Sequence, residues 1–169
     1  MNFLSNPQMT LRLGGVLVLA SLIIALISQY GFELWPCDLC ILQRYPAFVA
    51  VAIMIAAELI KKPRLMLALF MVACLITGDI ALYHTGVEQG WWQGPTSCSG
   101  GDDLLSQAQR TLAELKAEIM GAPLIRCDKP AFEWMGITMA SANAIFSFGL
   151  AIMAFIGLMK SKDETNVEA

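Results

Sequence analysis

Residues 41–60 read ILQRYPAFVAVAIMIAAELI. A helix needs roughly 20 mostly apolar residues to cross the ~30 Å hydrocarbon core of a bilayer, and this run is long enough to do so. Three more runs meet the same test: Leu13 to Tyr30, Leu65 to Tyr83 and Met135 to Met159. Hydrocarbon offers no water to backbone amides, so each span must close its hydrogen bonds within itself. The sequence therefore predicts an all-α membrane protein, a four-transmembrane-helix bundle forming a single membrane domain over residues 1–169.

The composition agrees with that reading. Of the 169 residues 57% are hydrophobic and 15% charged, against ~45–50% and ~25% in soluble domains. A net charge of −3 and a pI of about 5.1 offer no basic field to a phosphate backbone, which argues against nucleic acid as a partner. Arg12 ahead of an apolar run resembles the start of a signal peptide, but that run exceeds the ~7–15 residues of a signal core. No small-residue cleavage site follows it in Gln29 to Pro36, so the first span is expected to be retained.

Four spans put both termini on one side, with outer loops at 31–40 and 84–134 and a tail at 160–169. Arg12, the short turn Lys61-Lys62-Pro63-Arg64, and Lys160 with Lys162 crowd the side that holds the termini. The first outer loop has no Lys or Arg, and the long one spreads Arg110, Lys116, Arg126 and Lys129 over its length. The positive-inside rule then places both termini in the cytoplasm. Trp35, Trp91, Trp92, Trp134, Tyr30, Tyr45 and Tyr83 fall near the outer ends of the spans, as an interfacial aromatic belt would.

Cys37, Cys40, Cys98 and Cys127 fall on that outer side, whereas Cys74 sits among Val72, Ala73, Leu75 and Ile76 and reads as a small buried hydrophobe. Cys37-Asp38-Leu39-Cys40 follows Pro36 and heads an apolar helix. Both sulfurs thus lie at a helix N-terminus, where unpaired N–H groups and the macrodipole favour a thiolate. Arg44 is one turn deeper on the same face. It either snorkels to headgroups or stabilises a Cys40 thiolate and donates to an electron-accepting carbonyl. His84, the one histidine, ends the third span at the outer surface at the depth of Arg44, as a surface or capping residue or as a site residue.

Cys98 lies in Gly94-Pro95-Thr96-Ser97-Cys98-Ser99-Gly100-Gly101, an open stretch suited to attack by another protein's thiol. From Asp102 to Met120, apolar residues recur at Leu104, Leu105, Ala108, Leu112, Leu115 and Ile119, with Gly121 and Pro123 as stop signals. The long outer loop is thus expected to carry an amphipathic surface helix. Cys127 follows Arg126, which favours its thiolate. Four cysteines allow three pairings, and spacing alone chooses none. Zinc held by these cysteines and His84 is the chemical rival, but structural zinc sites show two short paired spacings and only one pair here is C-x-x-C. No metal is expected.

Pro36-Cys37-Asp38-Leu39-Cys40-Ile41-Leu42-Gln43-Arg44 heading the second of four spans, Tyr83-His84-Thr85 ending the third, and a cysteine pair in the second outer loop resemble the DsbB family. Its members are bacterial inner-membrane disulfide-bond formation proteins, quinone-dependent thiol oxidases. The resemblance implies that Cys98 and Cys127 form the disulfide that reoxidises a DsbA-type periplasmic thioredoxin-fold protein, with Cys98 forming the mixed disulfide. It implies that Cys127 passes the electrons to Cys37 and Cys40, and that the Cys40 thiolate faces ubiquinone or menaquinone. Arg44 matches an arginine that supports quinone binding, and His84 a histidine near it. Proteins similar to vitamin K epoxide reductase also join a loop pair, a C-x-x-C and a quinone, but there the loop pair comes first. From a different class, a non-catalytic subunit braced by static disulfides or a bound metal would keep those disulfides when quinone is depleted. An enzyme would instead accumulate reduced cysteines.

Overall fold

The computed structural model describes residues 6–94, 127, 130 and 133–167. Four helices dominate: α1 (Pro7–Gly31), α2 (Asp38–Leu59), α3 (Pro63–Glu88) and α4 (Met139–Val167). The stretches Pro7–Gly31, Asp38–Leu59, Pro63–Glu88 and Met139–Ser161 are each long and apolar enough to cross a membrane. Cys98 and the amphipathic helix expected over Asp102 to Met120 lie outside the described residues.

Local chemistry sets each helix start. Asn6 caps α1, its Oδ1 accepting from the amides of Gln8 (3.0 Å) and Met9 (3.3 Å), and Pro7 at the first helical position needs no partner for a missing N–H. Pro63 opens α3 in the same way. At the head of α2 the cap is a sulfur: Cys37 Sγ accepts from the Cys40 amide at 3.3 Å, and Asp38 in the first turn complements the dipole.

The fourth helix begins at Met139, later than the Met135 at which its apolar run starts. Residues Glu133–Trp134 (β1) and Ile137–Thr138 (β2) pair antiparallel around a two-residue turn, where Met135 (φ 52°) and Gly136 (φ 81°) both take the left-handed conformation. Such turns match the natural twist of paired strands. Thr138 then caps α4 reciprocally with Ser141. Its Oγ1 accepts from the Ser141 amide at 3.1 Å, and Ser141 Oγ accepts from the Thr138 amide at 2.8 Å. At the other end of the outer loop, α3 runs to Glu88 instead of stopping at Tyr83. Trp92 folds back over this end, stacking on Tyr83 at 5.8 Å and donating to the Tyr83 carbonyl at 3.0 Å. Gly86 makes room for that indole, since a Cβ there would collide with the Trp92 ring.

The core runs along α3, whose Leu67, Phe70, Ala73 and Cys74 are buried against Leu11, Val18 and Leu22 of α1, Ala50 and Ala57 of α2, and Leu150, Ala151 and Ala154 of α4. Small residues at these contacts let helices approach closely, the usual means of packing where lipid removes the hydrophobic drive. Gly14 shows why: a Cβ there would lie 2.8 Å from the Phe70 ring. The outward faces stay apolar, with Ile24, Phe48, Leu59, Ile145 and Ile152 exposed. A soluble bundle would place polar residues there, whereas a bundle in lipid has no such need.

Candidate functional site

The site forms where the heads of α2 and α4 meet the end of α3. Cys37 Sγ lies 3.0 Å from Cys40 Sγ and is oriented to donate to it, the geometry of a dithiol pair. Cys37 is buried and Cys40 half-buried. The hydrogen bond to Cys40, followed by burial, pushes the Cys37 thiol up from 9.0 to about 12, with His84 pulling the other way. Of the two sulfurs, Cys37 therefore keeps its proton and Cys40 faces outward as the acceptor. Cys127 is buried in one cluster with Cys37, Leu39 and Val87, and Cys40 packs against that cluster. The fold thus brings one loop cysteine to the C-x-x-C pair.

His84 is buried, not at the surface where the end of an apolar run had placed it. The continuation of α3 carries it inward, and its Nε2 lies 3.5 Å from Cys37 Sγ. A chain of amides holds the ring from behind. Asn143 Nδ2 donates to Gln43 Oε1 at 2.7 Å, which leaves Gln43 Nε2 to donate to His84 Nδ1 at 2.9 Å. A neutral imidazole that accepts at Nδ1 carries its proton on Nε2, toward Cys37 and toward Glu88 Oε1 at 3.7 Å. Glu88 in turn accepts from Thr138 Oγ1 at 2.5 Å, the same residue that caps α4.

Arg44 is half-buried, and its Nη1 donates to Gln29 Oε1 of α1 at 2.7 Å. Both readings of this residue, snorkelling or service at a site, start from a guanidinium one turn inside the span. Here its side chain lines a cavity of about 360 Å³ together with Cys40 and His84. Leu22, Trp35, Met139 and Phe146 supply apolar walls. That size and mixture match small-molecule sites, which run ~300–1,000 Å³ with few polar groups among apolar ones.

Sequence reading singled out Cys37, Cys40, Arg44 and His84, and the structure brings all four to one place, with Cys127 beside the pair. It did not find Gln29, Gln43, Glu88 or Asn143. A signal existed for Gln29, Gln43 and Asn143, because an amide within an apolar span is costly unless it is bonded, whereas Glu88 lies beyond the apolar run and gave none. Cys74, by contrast, is buried in the core far along α3, between Phe70 and Thr77 on its inner face. Among the described residues, Cys37, Cys40 and His84 also form a group able to hold a metal ion, with donor atoms all within 4.8 Å of one another.

A membrane helix bundle with a partly buried dithiol at the head of one helix, beside a cavity with apolar walls and a few polar groups, defines a membrane thiol–disulfide protein. The family model for disulfide bond formation protein DsbB matches residues 7–157, and the chain belongs to that family. It is therefore a multi-pass membrane disulfide oxidoreductase that acts in disulfide bond formation. The chain is also similar to an uncharacterized protein of Rickettsia prowazekii (strain Madrid E), with 28% identity over 144 residues covering 84% of this chain and 81% of that protein. No solved structure matches it.

Proposed function

We propose that this chain is a quinone-dependent protein thiol oxidase of the bacterial inner membrane, which reoxidises a DsbA-type periplasmic dithiol protein. The observation that carries this reading is the cavity lined together by Cys40, Arg44 and His84. A quinone head group fits it by volume, by apolar walls and by cationic and imidazole donors for carbonyl oxygens. When bound there, a quinone supplies an acceptor for two electrons and two protons. Forming a Cys37–Cys40 disulfide from two thiols releases that number of each.

The chain's own residues account for the remainder. Cys40 presents its sulfur to the cavity, and Arg44, steadied by Gln29, holds positive charge beside it. His84, oriented by Gln43, sits against the sulfur that must lose its proton when the pair closes. Cys127, packed with Cys37, stands where a hand-over between the two cysteine pairs would occur. Cys98 would meet the periplasmic partner and resolve onto Cys127, by attack of a thiolate on a disulfide sulfur at each stage. DsbA-type proteins are strong oxidants, so an ordinary dithiol couple cannot reoxidise them without a stronger sink. Both termini would lie in the cytoplasm and the active cysteines on the periplasmic side.

The test is quinone reduction by the purified protein in detergent with a reduced DsbA-type protein, for ubiquinone and menaquinone in turn. Rapid reduction that is lost in Cys40→Ser is the expected result. No reduction by the wild type with either quinone overturns the proposal.

A further inference from the structure

The cysteine pair and His84 meet a second chemical specification, one that does not involve electron transfer. A tetrahedral zinc-class cation bonds sulfur at ~2.3 Å and imidazole nitrogen at ~2.0–2.1 Å, which sets the sulfurs about 3.8 Å apart and each about 3.6 Å from the nitrogen. In this structure Cys37 Sγ lies 3.5 Å from His84 Nε2 and 3.0 Å from Cys40 Sγ, and all three donors fall within 4.8 Å of one another. The distance from Cys37 to the nitrogen already fits. The sulfurs need to part by under an ångström, within reach of side-chain rotation. We infer that the dithiol state of this protein is a binding site for a thiophilic divalent cation such as Zn²⁺ or Cd²⁺, held by Cys37, Cys40 and His84.

The surroundings of the imidazole support this assignment independently. Metal on Nε2 requires the ring proton on Nδ1, donated to an acceptor. Gln43 stands 2.9 Å from Nδ1, and as a side-chain amide it can present its oxygen there instead of its nitrogen. Reversal passes along the chain without loss. Gln43 Nε2 then donates to Asn143 Oδ1, and Asn143 Nδ2 to Ser147 Oγ, which is already 3.5 Å from Asn143 Oδ1. The same four residues serve both settings of the imidazole. Both cysteines sit at the N-terminus of α2, and a coordinated cation itself deprotonates the thiols that hold it. Three protein donors leave one tetrahedral position for water, as in Cys2His zinc sites.

Binding displaces the thiol protons to solvent and involves no change of oxidation state. A disulfide offers no thiolates, so the site exists only while the pair is reduced. Occupancy would hold the pair reduced and block Cys40, so such cations would inhibit turnover. Only that last consequence rests on the oxidase reading; the site itself does not.

The experiment titrates Cd²⁺ into the full-length, quinone-free protein in detergent and follows the thiolate-to-cadmium charge-transfer absorption, with Zn²⁺ as competitor. The expected result is a band that saturates with the reduced wild type, is displaced by Zn²⁺, is absent after oxidation and is lost in Cys37→Ser. In Gln43→Leu affinity falls about 10–100-fold, the cost of removing a partner that orients a metal-bound histidine. Cys74→Ser binds as the wild type does. No band with reduced wild type, or an equal band after oxidation or in Cys37→Ser, overturns the inference, and the oxidised wild type guards against a variant that merely misfolds. If the protein reduces quinone but binds no Cd²⁺, this site alone is wrong. Cation binding without quinone reduction removes the oxidase reading and leaves the site.

Discussion

Each end of the bundle carries a pairing of a basic side chain with a glutamate, and the two pairs live in opposite surroundings. At the end away from the cysteines, Arg12 meets Glu58 at 2.6 Å, and Gln8 adds a 3.1 Å bond to the same carboxylate. Those side chains remain 56% and 47% exposed. At the cysteine end, His84 and Glu88 lie 3.7 Å apart with exposures of 3% and 5%. Distance alone ranks the first pair as the stronger. Burial reverses the order of consequence: an exposed pair exchanges one set of solvating partners for another, whereas a buried group without a partner carries its full desolvation cost. The exposed pair fastens α1 to α2, and the buried one sets a carboxylate beside the imidazole that Gln43 holds.

Removing Glu88 is the most damaging way to test that contrast. Glu88→Ala strips Thr138 Oγ1 of its acceptor at the start of α4 and removes the carboxylate that lies 3.7 Å from His84 Nε2. A loss of about 3 kcal/mol in stability is expected, the upper end of what leaving a buried hydrogen-bonding group unsatisfied costs. Glu88→Gln keeps an acceptor for Thr138 and should recover most of it. Thermal unfolding in detergent reads both. If the two variants unfold alike, charge and not hydrogen bonding holds this end.

Asn143→Leu probes the far end of the same chain of amides. It leaves Gln43 Oε1 without its donor inside the bundle, a cost of about 1–3 kcal/mol. It also frees Gln43 to turn, so the variant should lose oxidase turnover by more than its stability loss explains. Equal rates for folded variant and wild type would show that His84 does not depend on this support.

Acidity of the pair gives an effect with a defined sign, confined to alkaline pH. The Cys37 thiol is raised from 9.0 to about 12 by its bond to Cys40 and by burial. The folded reduced protein therefore holds a proton that the unfolded chain releases near pH 9. That contribution is complete below pH 9 and is lost as pH rises through about 12. Reduced protein should lose stability over that window, and protein with a Cys37–Cys40 disulfide should not lose it through this group. Parallel unfolding curves for both redox states across the window would contradict the assignment of the proton to Cys37.

The contrast also explains what could be read from the sequence. Four apolar runs announce four spans, because lipid leaves a helix no alternative. Cys37, Cys40 and Arg44 declare themselves by local spacing along α2. Hydropathy fails where polar groups are buried in one another's company: it stops the third span at Tyr83, although His84 and Glu88 continue the helix inward. Met135-Gly136 carries none of the Asn-Gly or Asp-Gly signals of a tight hairpin, so the late start of α4 is equally hidden. Gln43, His84 and Asn143 meet across 41 and 100 positions of chain, a proximity that belongs to the packing of α2, α3 and α4 and to no local pattern.

The smallest effect is expected at the exposed pair, Arg12 with Glu58. Arg12→Gln removes a two-pronged contact, with Nε and Nη2 donating to the two Glu58 oxygens at 2.7 and 2.6 Å. Both partners are exposed and find water or headgroups when separated, so the change in unfolding temperature should be well below that of Glu88→Ala. Raising the salt concentration should shrink it further, since screening acts on exposed charges and spares buried ones. A double-mutant cycle with Glu58→Gln isolates the coupling from any loss of helix packing. Coupling that rivals the Glu88 effect and survives high salt would mean that the bilayer dries this end as thoroughly as the bundle dries the other. The two pairs would then differ in chemistry alone, and exposure in the isolated fold would be a poor guide to either.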